Sequence, residues 1–135
     1  MLNRFRREKE KKRRNTQTEI YTYENLLEVE ELTQEKIDKS EIIYEDEDIF
    51  SIKDINPIAP VHLLIIPKKR INTINDVSEE DTLLIGKMIQ VAKKLAKEYE
   101  INESGYRLIF NTNDDGGQTV YHIHLHLIGG EKLKW

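Results

Sequence analysis

Three of the four histidines in this chain stand at alternate positions, His122, His124 and His126, within the stretch GGQTVYHIHLHLIGG from Gly116 to Gly130. In an extended strand, side chains i, i+2 and i+4 share a face and lie about 7 Å apart. The spacing predicts a strand with a row of three imidazoles on one face. Tyr121, Ile123, Leu125 and Leu127 then turn the other way, towards a core. Imidazole exchanges protons near neutral pH and attacks electrophiles as a nucleophile. In its protonated form it stabilises oxyanions.

Such a row has three readings. It could be a structural strand, a metal site completed by further ligands such as Asp114 or Asp115, or a set of nucleophilic and acid–base groups acting on a phosphoryl centre. Three of only four histidines in one strand argue against the first. The absence of cysteine and of a second histidine cluster argues against a closed metal site, so no metal and no cofactor is expected.

The rest of the chain has to position this strand. Residues 1–18 are polar and basic and read as a mobile tail, with Lys11-Lys12-Arg13-Arg14 as a solvated run, a polyanion contact or a nuclear-import signal. Residues 19–39 carry a patchy helical stripe of Leu26, Leu27, Val29, Leu32 and Ile37. A domain follows over 40–135. Its expected strands cover 41–44, 49–55, 61–66, 106–111 and the histidine stretch. Pro57 and Pro60 enclose a loop before the third strand, which holds the fourth histidine, His62. Ser78 opens a helix over about 79–99, with Leu83, Leu84, Met88, Val91, Ala92, Leu95 and Tyr99 as its buried stripe. Asn102 to Gly105 is read as its stop. Short links between strands one and two, and four and five, argue an antiparallel α+β sheet with its helices on one face.

The chain has 135 residues, enough for one real core, and a net charge of −4. Residues 1–14 hold eight Lys/Arg against two glutamates; the remainder holds 13 basic against 23 acidic residues. A body of net −10 does not suit binding nucleic acid through a broad basic face. The absence of cysteine fits a reducing compartment. No apolar run is long enough for a membrane span or a secretory signal. A cytoplasmic location is expected, with the nucleus as the alternative that the basic tail raises.

The pattern resembles the histidine-triad (HIT) nucleotide-binding family. The triad itself carries the resemblance, and so does the run from Asp54 to Lys69, DINPIAPVHLLIIPKK. A third part is Asn111 followed by DGGQTVYHIHLH from Asp115 to His126. The GGQ-x-V-Y lead-in and the terminal Trp135 look most like the Hint branch, the purine nucleoside phosphoramidases.

The resemblance implies a five-stranded antiparallel sheet with two helices, paired into a ten-stranded sheet in a homodimer. It implies hydrolysis of purine nucleoside 5′-phosphoramidates, of the AMP–lysine type, to AMP or GMP and an amine. A weakly catalytic nucleotide-binding module and a dinucleoside polyphosphate hydrolase are the alternatives. His124 would be the nucleophile that forms a nucleotidyl-histidine, with its other ring nitrogen held by a main-chain carbonyl. His126 would contact the phosphate, and His122 and His62 would complete the imidazole cluster. Asp54 would accept from the ribose hydroxyls, and Ile52, Ile55 and Leu64 would flank the base. Asn111, Gln118 and Thr119 would hold the phosphate and leaving group, with the Gly117 backbone close by. Trp135 would reach the partner's site. Thr119 stands where many members carry Ser, and the N-terminal segment lacks the family's usual opening and Cys pair.

Taken singly, these residues say less. Asp54 could be a turn residue, Asn111 a strand end, Gly116-Gly117 a tight turn, His62 a core histidine and Trp135 a packing residue.

Overall fold

A sheet whose strands alternate apolar and polar side chains needs one covered face, and the amphipathic stretch expected over about 79–99 can cover it. The computed structural model describes residues 41–135. The expected basic tail and the helical segment over 19–39 lie outside the described residues. The elements are β1 (Ile42–Glu45), β2 (Ile49–Lys53), β3 (Val61–Pro67), α1 (Thr82–Glu98), β4 (Tyr106–Ile109) and β5 (Leu125–Gly129). Two 3-10 turns, Ile74–Asp76 and Glu79–Asp81, precede α1. The strands form one antiparallel sheet in the order β1-β2-β3-β5-β4. The expected α+β class and five-stranded antiparallel sheet are therefore present.

Register sorts the two faces. Residues directly opposite in an antiparallel pair point to the same side. Ser51, Ile65 and Leu125 are aligned across β2, β3 and β5, as are Leu63, Leu127 and Leu108 across β3, β5 and β4. With Ile49, the apolar members of these rows meet Met88, Val91, Ala92, Leu95 and Ala96 of α1 to form the core. The other face carries the row Ile52, Leu64, His126, Ile109. His62, two residues before Leu64 and paired with Ile128, points to that same side. So β3, flanked on both sides, contributes Leu63 and Ile65 to the core and His62 and Leu64 to the opposite face.

Several expected boundaries move. Strand β2 stops at Lys53 rather than Ile55, because Asp54 Oδ1 accepts from the Asn56 N–H (2.8 Å) and turns the chain. The helix begins at Thr82, after the 3-10 turn that Ser78 opens; the Asp81 carboxylate accepts from the Ser78 N–H (3.0 Å). Leu83, expected in the buried stripe, is 71% exposed. It lies five residues before Met88, which puts it roughly 140° around the helix from the core line. Leu84 and Tyr99 pack against the core from its edge.

The helix ends earlier than its expected stop. Glu100 takes a left-handed conformation (φ 59°), and the Ile101 N–H donates back to the Ala96 carbonyl (2.9 Å). A side chain in that conformation is strained. Glu100→Gly is expected to raise stability by about 1 kcal/mol, read from the denaturant midpoint. A lower midpoint would show that the Glu100 side chain contributes more than its backbone strain costs.

Candidate active site

The largest departure from the expected strand lies at the triad. Strand β5 begins only at Leu125, so His126 is in the sheet while His122 and His124 precede it. The reason is hydrogen bonding to a different partner. The Ile123 N–H donates to the Ile71 carbonyl (2.7 Å), and the His122 ring Nε2 bonds the Pro67 carbonyl (2.7 Å). The chain is thus pinned to the end of β3 and the segment that follows it instead of to β4. Residues 110–124 form a long connection where a hairpin-length link was expected. The three rings differ in exposure: His122 is buried at 2% exposure, and His124 and His126 are partly open.

The connection is tied internally. Asn111 Nδ2 donates to the Gly116 carbonyl (2.8 Å). A Cβ on Gly116 would collide with the backbone carbonyl oxygen of Thr112, and Gly117 has φ +81°, so each glycine is required for its own reason. Gln118 is buried at 2% exposure. Its Oε1 accepts from the Asn113 N–H (2.8 Å), and its amide group donates to the carbonyls of Asn72 (2.8 Å) and Val120 (3.1 Å). Both amide hydrogens are occupied, so the part expected of Gln118 shifts from phosphate contact to holding the loop. Gln118→Leu should cost about 2–4 kcal/mol, because it strands three backbone groups, and thermal unfolding would show it. An unchanged midpoint would mean that the loop does not depend on these bonds. Thr119, beside it, is exposed.

Hydrogen bonds assign the protons on the imidazoles. A main-chain carbonyl only accepts and a main-chain N–H only donates. His124 Nδ1 lies 2.8 Å from the His122 carbonyl oxygen, so it carries hydrogen, and in the neutral ring the lone pair is on Nε2. By the same rule His122 carries hydrogen on Nε2, towards Pro67, while its buried Nδ1 has no partner among the described residues. The Ile58 N–H donates to His62 Nδ1 (3.2 Å), so neutral His62 is protonated on Nε2. That Nε2 lies 2.9 Å from His126 Nδ1 and 3.3 Å from Asp54 Oδ2. His126 Nδ1 therefore accepts, and its own proton sits on Nε2. The His126 ring centroid is 5.2 Å from that of His62 and 5.0 Å from that of His124.

Burial disfavours charge on these rings. It pushes His126 down to about 3, with His124 and His62 adding to the effect. It pushes His122 down to about 4, against the hydrogen bond to Pro67, with Arg70 and His124 lowering it further. It lowers His62 too, against the attraction of the Asp54 carboxylate. At neutral pH, then, His126 is uncharged and presents an N–H at Nε2.

Asp54 sits at the end of β2, half-buried, beside His62. Ile52 and Leu64 lie side by side on the same face and are buried, whereas Ile55 is 43% exposed in the turn. The structure thus brings together His62, His126, His124, Asp54, Ile52 and Leu64. Gln118 and Asn111 serve the neighbouring loop. Trp135 is fully exposed, with the Arg107 guanidinium 5.3 Å from its ring centre and Arg107 Nη1 donating to the Lys134 carbonyl (2.9 Å).

Asp54, His62 and His126 offer ligand atoms within 4.8 Å of one another. A metal ion would need lone pairs on both imidazoles. Here the Ile58 N–H directs a proton onto His62 Nε2, between the two rings, so the set reads as proton-sharing groups.

The family model for the HIT domain matches residues 35–133. This chain belongs to the HIT family. It is 54% identical over 94 residues to the purine nucleoside phosphoramidase of Escherichia coli K12, covering 70% of this chain and 79% of that protein. A HIT family hydrolase from Legionella pneumophila is 54% identical with a TM-score of 0.69, covering 70% of this chain and 85% of that one. A HIT family hydrolase from Clostridium thermocellum is 46% identical with a TM-score of 0.67, covering 69% and 81%. With these relatives, the expected assignment to an enzyme, a hydrolase of the HIT type, holds. Among the described residues no helix is long and apolar enough to cross a membrane.

The sequence reading did not single out the main-chain groups that direct the rings, the Ile58 N–H and the Pro67 carbonyl. No side-chain type could have signalled them.

Proposed function

We propose that this enzyme hydrolyses purine nucleoside 5′-phosphoramidates, of the AMP–lysine type, to a nucleoside monophosphate and an amine through a nucleotidyl-His124 intermediate. The observation that carries the reading is the bond between His124 Nδ1 and the His122 carbonyl, which leaves the nucleophilic lone pair on Nε2 beside the His126 ring. His124 Nε2 would attack the α-phosphorus; the N–P bond to the enzyme forms and the bond to the amine breaks, the amine taking a proton from solvent as it leaves. Water would then attack the same phosphorus, return a proton to solvent, break the bond to Nε2, release AMP or GMP and restore His124. His126 Nε2–H would donate to a phosphate oxygen. Thr119 and the backbone at Gly117 would hold the phosphate and leaving group, within the loop that Asn111 and Gln118 keep in shape. Asp54 would take the ribose hydroxyls, with Ile52, Ile55 and Leu64 around the purine.

The name of the Escherichia coli relative supports the substrate class. In the reading's full form two copies join into a ten-stranded sheet, and the exposed Trp135 reaches the partner's site. The cytoplasm is the place of action, with the nucleus as the alternative raised by the basic tail.

The test compares adenosine 5′-phosphoramidate, an AMP–lysine-type substrate and a diadenosine polyphosphate, each with and without a chelator. Phosphoramidates should be cleaved to AMP at least about tenfold faster than the dinucleotide, a margin of ~1.4 kcal/mol in barrier. The chelator should change nothing. Loss of activity with chelator would point to a metal-dependent hydrolase. AMP binding without turnover would point to a binding module.

A further inference from the structure

The His62–His126 hydrogen bond has two possible polarities. With the proton on His62 Nε2, His126 accepts at Nδ1 and keeps its own proton on Nε2, as a donor. With the proton on His126 Nδ1, His126 has a bare lone pair at Nε2, which would repel an anionic oxygen. The two rings are chemically alike, so the pair itself barely chooses between them. A group outside the pair must decide.

We propose that the main-chain N–H of Ile58 is that positioning group: by donating to His62 Nδ1 (3.2 Å) it forces the shared proton onto His62 Nε2 and leaves His126 Nε2–H as the donor for a phosphate oxygen. This rests on the reading of the site as a nucleotidyl-transfer centre. The reversed polarity would place a proton on His62 Nδ1 against the Ile58 N–H. It would also turn the His62 Nε2 lone pair towards the Asp54 carboxylate, 3.3 Å away. Both contacts are repulsive, so two independent neighbours select the same tautomer.

The loop is built to hold that one N–H in place. Asp54 Oδ1 accepts from the Asn56 N–H (2.8 Å), and the Asp54 N–H donates to the His62 carbonyl (2.9 Å), closing the segment at its base. Pro57 and Pro60 stiffen the backbone on either side of Ile58. The Ile58 side chain takes no part, being 67% exposed.

The experiment removes the N–H alone. In the full chain, residue 58 is replaced by the α-hydroxy acid of isoleucine, which turns the amide into an ester. Ile58→Ala keeps the N–H and serves as comparison. Ile58→Pro removes it by a different backbone change. Histidine 15N spectra, which separate protonated from bare ring nitrogens, should show His62 and His126 both protonated at Nε2 in the wild type and in Ile58→Ala. In the ester and proline variants both rings should become mixtures. There kcat for the phosphoramidate should fall by about tenfold or more with KM nearly constant, as for partial loss of an acid–base contribution. A wild-type His126 protonated at Nδ1 would overturn the proposal, as would unchanged tautomers in both variants. Tautomers as assigned in a wild type that hydrolyses no phosphoramidate would support the role of Ile58 and overturn the reading of the activity instead.

Discussion

His124→Ala is expected to reduce phosphoramidate turnover by about 10⁴-fold or more, the scale seen when a nucleophile that acts as a unit with its neighbours is removed. The geometry makes the prediction specific. The His122 carbonyl holds His124 Nδ1–H at 2.8 Å, and no other ring of the group has the same arrangement. His126 has its Nδ1 committed to His62, and His122 is buried with its Nε2 on Pro67. Neither can take over the attack. Nucleotide affinity should be largely kept, since Asp54, Ile52, Leu64 and His126 remain. Substrate incubated with the wild type and quenched in the steady state should yield a nucleotidylated protein that His124→Ala lacks. Full activity in His124→Ala, or a nucleotidyl adduct on another histidine, would overturn the assignment of the nucleophile.

The second large effect concerns acid stability. His122 titrates near 6.5 in the unfolded chain and near 4 in the fold, because burial resists its charge. Between those values the unfolded state binds the proton and the folded state does not. Stability then falls as pH falls, by about 1.4 kcal/mol per pH unit for one group. From pH 7 to pH 5 His122 alone should remove about 2 kcal/mol. The downward shifts of His126 and His62 act in the same direction. Asp46 and Asp81 do not blur this window. Asp46 is lowered from 3.8 mainly by the Tyr44 and backbone bonds that outweigh its burial, and Asp81 chiefly by Lys69, so both lose their stabilising effect below about pH 5. Denaturant unfolding at half-unit steps from pH 7 to 5 measures the slope. His122→Gln, which does not titrate, should flatten it by about one group's share while lowering stability at pH 7. An unaltered slope would show that His122 binds its proton alike in the folded and the unfolded chain.

Much of this was legible in one dimension. Alternation predicts that Ile123, Leu125 and Leu127 are inside, and they are. The apolar run from Val61 to Ile66 predicts a strand buried on both faces, and His62 to Pro67 of β3 are buried. These features rest on side-chain polarity and a fixed two-residue period, which the letters of the sequence record. The same period overreached at His122 and His124, where Ile71 and Pro67, distant in sequence, claim the backbone and the ring. It could not show that Gln118 would be spent on the loop, because an amide donates equally well to a phosphate or to a carbonyl.

By itself, then, the sequence determined which residue types could do the chemistry, which stretches of chain hold them, and the family they resemble. Only the tertiary structure decided which nitrogen of each histidine holds the proton. That choice is made by the main-chain groups of Ile58, Pro67 and His122, and every residue but proline carries the same donor and acceptor. Nothing in a side chain marks them. They act here because the fold brings a carbonyl or an N–H within 2.7–3.2 Å of the rings of His62, His122 and His124.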